Sequence, residues 1–156
     1  MTEQPFWSAR RSTTLSIVVA WVALVLGVAA IPLLVPLLTM ADVGAIFGHS
    51  FVARAAAPLY ICLACGIIAV IIVLRLLGDI RRGEVFTVAN VRRLRLISYC
   101  GFVIFLACVV GAIVTRPWLI FIALGLVAAF LGLLMRVIKN VVDAARLLKE
   151  DADFTI

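Results

Sequence analysis

Four long apolar runs without a single Asp, Glu, Lys, Arg or His decide what this chain can fold into. They span roughly Leu15 to Thr39, Ala55 to Leu74, Leu96 to Thr115 and Pro117 to Met135. Each is close to the ~20 residues a helix needs to cross ~30 Å of hydrocarbon. Hydrophobic residues make up 66% of the 156 and charged residues 14%, so a soluble fold would have to bury four uncharged runs with little polar surface to cover them. The expectation is an all-α, integral membrane four-helix bundle forming one domain over residues 1–156. No internal repeat or low-complexity tract divides it.

The basic residues set the orientation. Arg10 and Arg11 precede the first run; Arg75, Arg81, Arg82, Arg92, Arg93 and Arg95 lie in or beside the loop of residues 75–95; Arg136, Lys139, Arg146 and Lys149 follow the fourth run. Only Arg54 and Arg116 fall on the other side, so twelve of the fourteen lie on one side. The positive-inside rule then predicts a multi-pass protein of the bacterial plasma membrane with both termini, the 75–95 loop and the 136–156 tail in the cytoplasm. Arg10 and Arg11 before an apolar run also resemble a signal peptide. That run, of about 25 residues, exceeds the 7–15 of a signal's apolar region, and no clear cleavage site follows promptly. Outside, the chain offers about fifteen residues from Met40 to Arg54 and a hairpin at Thr115 to Trp118, too little for a receptor domain.

The inner side carries more. The second helix can run unbroken from Ala55 to Arg82, where Gly83 offers a left-handed cap; the third can start at Val88 with Thr87 as N-cap and Asn90 at N3. Helices of that length reach about 42 Å, so roughly 10 Å of each stands beyond the bilayer core. The fourth helix can continue likewise through Leu148. Such basic ends attract anionic headgroups in any membrane protein, at about 1 kcal/mol per Lys or Arg. They also form a candidate docking surface for a cytoplasmic protein, with Arg81, Arg82, Arg92 and Arg93 as its charges and Phe86 as its apolar anchor. The acidic tail from Glu150 to Ile156 can fold back on those arginines through weak, displaceable pairs, or remain a solvated terminus.

Two stretches carry a resemblance. Asp79-Ile-Arg-Arg-Gly-Glu-Val-Phe-Thr-Val-Ala-Asn-Val-Arg-Arg-Leu-Arg-Leu-Ile and the ending Leu148-Lys-Glu-Asp-Ala-Asp-Phe-Thr-Ile resemble a bacterial membrane family of unknown function, the domain-of-unknown-function family numbered 2975, built of four transmembrane helices. Gly83, Phe86, Thr87, Asn90, Arg93, Leu94, Thr155 and Ile156 match its pattern, and Phe154 stands where the family has Leu. The family is often encoded beside a small helix-turn-helix regulator, and the resemblance implies that the membrane protein holds or modulates such a partner. Arg81, Arg82, Gly83, Phe86, Thr87, Asn90, Arg92, Arg93, Asp153, Phe154, Thr155 and Ile156 are the resulting candidate partner-binding residues. For Gly83, Thr87 and Asn90 turn formation is the competing, favoured explanation.

Other chemistry is thinly supported. Cys62 and Cys65 share a helical face, Cys108 lies at similar depth on the third helix and Cys100 nearer the cytoplasm. A Cys-x-x-Cys pair without His or acid beside it falls short of four tetrahedral ligands, and cysteine in an apolar helix is usually a small hydrophobe. No metal or cofactor is therefore expected. His49, the lone histidine, reads as a loop residue. Gly125, Ala129 and Gly132 line one side of the fourth helix and predict close helix packing, with the neighbour either in the same chain or in a second copy. Pro32 and Pro36 should kink or loosen the first helix. A transporter normally keeps an ionisable group inside the membrane, and here each run lacks one. A membrane enzyme needs convergent nucleophile and base, which Ser16, Ser98, Tyr60, Tyr99 and four thiols do not supply. What remains is a non-enzymatic interaction protein acting on a cytoplasmic partner, with no direct nucleic-acid contact because the basic loop lies against headgroups. The alternative is an envelope or membrane-stress component working through lipid or another membrane protein.

Overall fold

The computed structural model of the chain describes residues 9–40, 50–82, 87–115 and 118–154. Four helices follow one another: α1 (Ala9–Met40), α2 (Ser50–Arg81), α3 (Val88–Val114) and α4 (Trp118–Phe154). All four are long and apolar enough to cross a membrane, so the chain is an all-α, multi-pass membrane protein. Gly83 to Phe86, Arg116, Pro117, His49, Thr155 and Ile156 lie outside the described residues.

The helix ends reflect local chemistry. Thr87, in extended conformation at φ −108° and ψ 150°, caps α3, its hydroxyl oxygen accepting the Asn90 N–H at 3.3 Å. At the other end Thr115 closes α3 by donating both its N–H and its hydroxyl to Gly111 O, at 3.0 and 2.6 Å. α2 begins at Ser50, five residues before the apolar run counted from Ala55, and takes Pro58 into its interior. α1 continues through Pro32 and Pro36 to Met40. A membrane helix tolerates such prolines where neighbouring helices, Ser or Thr side chains or local adjustments re-satisfy the backbone groups they free.

Packing follows chain order. α1 meets α2, α2 meets α3 and α3 meets α4, while among the described residues no Cα of α4 comes within 8 Å of α1 or α2. The helices thus form a row, with α3 and α4 as its tightest pair. Little of this row is dry in the sense of a soluble core: Phe51, Ala55, Cys108 and Phe121 are the buried cluster joining α2, α3 and α4. The long list of exposed Leu, Ile, Val and Phe along every helix is the surface that lipid tails cover.

The α3–α4 seam is built on missing side chains. Phe121, 5% exposed, lies over Gly111 so closely that a Cβ there would stand 2.5 Å from its ring. One step along, Gly125 receives the Cys108 Cβ at 3.1 Å from its own Cβ position. Further toward the cation-rich end Gly101 and Gly132 bring the backbones together, a Cβ on Gly101 falling 3.0 Å from both Gly132 Cα and Ala128 O. Ser98 donates its hydroxyl to Gly132 O at 2.8 Å in the same place. Small residues let helices approach until dispersion and polar contacts, rather than hydrophobic expulsion, hold them. The small face of α4 that contains Gly125 and Gly132, with half-buried Ala129, is therefore occupied by α3 of the same chain.

Candidate functional site at the cation-rich helix ends

Of the arginines around the α2–α3 connection, one is spent on structure. Arg93 donates to the Asp79 carboxylate, an ion pair between the end of α2 and the start of α3, and also to Asn90 Oδ1 at 2.9 Å. Asn90, only 1% exposed, gives its backbone N–H to Thr87. Asp79, Thr87, Asn90 and Arg93 thus form one network that pins the two helices at a fixed spacing. A buried amide survives only when satisfied, and a carboxylate across the hairpin fixes the guanidinium that satisfies it. Arg81, Arg82 and Arg92, by contrast, are exposed and make no ion pair among the described residues.

The acidic tail is helix up to Phe154, and Glu150 faces Arg146 at 3.5 Å, as does Asp143, also at 3.5 Å. These i,i+3 and i,i+4 pairs support the helix locally. Among the described residues the carboxylate paired with Arg93 is Asp79, not a residue of the tail. The backbones of Asp153 and Phe154 end α4; their side chains lie outside the described residues.

α4 is the longest element, 37 residues or about 55 Å. A bilayer core takes up about 30 Å, so the last turns of α4 reach past the headgroups. Val137, Val141, Ala144 and Leu148, spaced by four, three and four residues, form an exposed apolar stripe that begins at the edge of the core and runs out onto this extension, with Val141 63% and Leu148 71% exposed. Such spacing keeps a single face of a helix apolar and is the pattern by which helices pair in water.

A second feature sits where α3 and α4 leave the apolar zone. The seam runs antiparallel with Gly101 against Gly132, so the next turns bring Arg95 of α3 beside Arg136 and Lys139 of α4. With Ser98, Tyr99 and Phe102 they line a cavity of about 260 Å³. None of the three cations has a carboxylate partner among the described residues. Sequence reasoning passed over Arg95, Arg136 and Lys139 as topology markers. The hairpin at Arg116 was the available signal, because folding the chain back there sets these residues opposite one another.

The four cysteines are free. Cys62 of α2 and Cys108 of α3 do meet, Sγ to Sγ at 3.9 Å, and the Cys62 thiol points to Ile104 O at 4.0 Å. Among the described residues no three His, Cys, Asp or Glu side chains come together as a metal site.

No curated protein and no solved structure matches the chain. A family model described as "Protein of unknown function (DUF2975)" matches residues 54–156, from the first turns of α2 to the end of the chain. With the matched stretch holding all of α3 and α4, the Asp79–Arg93 lock and the basic cavity, this chain belongs to the DUF2975 family of proteins of unknown function.

Proposed function

We propose that this is a non-enzymatic membrane tether: it holds a cytoplasmic partner, most simply a small helix-turn-helix transcription regulator, on the inner face of a bacterial plasma membrane. The observation that carries this reading is the extension of α4, whose apolar stripe, from Val137 through Val141 and Ala144 to Leu148, runs out past the headgroups with none of the described helices over it. Lipid covers such a stripe inside the bilayer, but nothing apolar covers it in water. The exposed guanidinium groups of Arg81, Arg82 and Arg92 flank the helix ends and supply charge for steering an acidic partner face. Residues 83–86, with Phe86, and the terminal Thr155 and Ile156 belong to the same proposed surface. Binding there would withdraw a regulator from DNA by mass action, with no chemistry and no cofactor. Nothing in this reading requires the tether itself to touch nucleic acid.

The test is site-directed crosslinking in native membranes from Val141 and Leu148, followed by identification of the attached protein. A small helix-turn-helix protein is expected, and Val141→Glu with Leu148→Glu should abolish its capture while insertion is unchanged. Capture unaffected by that pair would remove the basis of the tether. The rival role, in which the small face of α4 binds another membrane protein, has less support because Gly125 and Gly132 are already filled by α3.

A further inference from the structure

Three cations line one cavity with no carboxylate partner among the described residues, an arrangement suited to an anion. Among the described residues half-buried Arg93 is neutralised by Asp79 and half-buried Arg146 by Asp143 and Glu150, whereas half-buried Lys139 has no carboxylate beside it. Arg95 and Arg136, both exposed, bring two more unpaired charges to the same cavity, from helices whose backbones are fixed against each other at Gly101 and Gly132. Like charges brought to one cavity repel, and an anion among them relieves that repulsion.

We infer that this cavity is a binding site for the phosphate of an anionic phospholipid, with Arg95, Arg136 and Lys139 as its cationic clamp. The guanidinium forks of Arg95 and Arg136 match a phosphodiester's paired oxygens, and Lys139 adds a compact charge. About 260 Å³ holds a phosphate together with several waters, each of which takes about 30 Å³. The lining changes character with depth. Arg95 lies just outside the apolar run, Tyr99 one turn further in, and Phe102 about 10 Å along α3 from Arg95. A headgroup at the cationic end would therefore lay its acyl chain along Tyr99 and Phe102, which a soluble phosphate would leave unused. Three cations and no carboxylate in the lining select a headgroup without its own ammonium, such as phosphatidylglycerol or cardiolipin, over a zwitterionic one. The site is independent of the tether proposed above, since it lies on the α3–α4 seam and not on the α4 stripe.

The experiment uses the full chain reconstituted in phosphatidylcholine with a minor fraction of phosphatidylglycerol, then extracted gently, with retained lipid read by native mass spectrometry. The wild type should keep phosphatidylglycerol in preference to phosphatidylcholine. Arg136→Gln with Lys139→Gln should lower that retention about 30-fold, at roughly fivefold per cation near the surface. Arg136→Lys with Lys139→Arg should restore it. Arg81→Gln with Arg82→Gln removes the same charge away from the cavity and should leave it unchanged. If the Gln pair does not fold, Lys139→Gln alone, with about a fivefold loss, takes its place. Equal loss in the Arg81 and Arg82 control, or no loss in the cavity variant, would reduce the cations to a general attraction for membranes and overturn the site. Displacement of the lipid by inorganic phosphate alone would make it a soluble-anion site and overturn the lipid assignment.

Discussion

The two ends of the helix row are held in different ways. At one end, α3 and α4 meet backbone to backbone through Gly101, Gly111, Gly125 and Gly132, with Phe121 seated on Gly111 and Ser98 bonded to Gly132 O. At the other, α1 has no buried residue in its apolar span and leans on α2 through looser contacts. Tyr60 donates its hydroxyl to Ile31 O at 3.1 Å, one residue before Pro32, and the Cβ position of Gly27 faces the flexible Ile67 side chain at 3.2 Å. In hydrocarbon nothing expels a helix from lipid, so contact area and close approach decide which interfaces are firm. The family match, which starts at Arg54, takes in the firm pair and leaves α1 outside. The basic cavity lies on the firm seam, where the backbones that carry its cations are fixed against each other.

The contrast is broken most directly at Gly101. Gly101→Leu must push against Gly132 Cα and Ala128 O, which cannot give way, and is expected to cost about 3 kcal/mol. Gly27→Ala meets only a movable Ile67 and should change stability by less than about 1 kcal/mol. Reversible unfolding of the detergent-solubilised protein in sodium dodecyl sulfate measures both. Similar costs for the two would mean that the α1–α2 contact is as tight as the α3–α4 seam.

An intermediate effect is expected at the hairpin lock. Arg93→Gln and Asp79→Asn, each alone and then together, should give a coupling of about 1 kcal/mol, with both side chains only about a quarter exposed. Additivity of the two single changes would show that the pair does not hold α2 to α3. The smallest effect belongs to α1. Tyr60→Phe removes its hydrogen bond to Ile31 O and should cost about 0.6 kcal/mol, a typical value for such a bond within a membrane. A much larger loss would promote α1 from an outrigger to a structural partner of α2.

How far the sequence could be read differs between these regions. The uncharged runs are legible because burial in lipid requires the same thing of each side chain along a span. The Thr87 cap is legible because it depends on residues three apart in the chain. Gly125, Ala129 and Gly132 could be picked out as a small face, but the residues they receive, Cys108 and Gly101, lie on another helix. The candidate docking residues were read as one set; in the folded chain Arg93, Asn90 and Thr87 serve the lock while Arg81, Arg82 and Arg92 remain exposed. Nothing local distinguishes Arg93 from Arg92, because the difference is which one faces Asp79, fourteen residues away in the chain. The cavity was missed for the same reason.

By itself, then, the sequence determined an all-helical membrane protein, the number of its helices and the start of α3, since each follows from the energetics of a single segment in lipid or of a single turn. Only the tertiary structure decided that the helices pack in a row, which arginine is neutralised, and that Arg95, Arg136 and Lys139 share one cavity. Those outcomes depend on the register between α3 and α4, and that register is set by how closely glycine backbones approach across the seam.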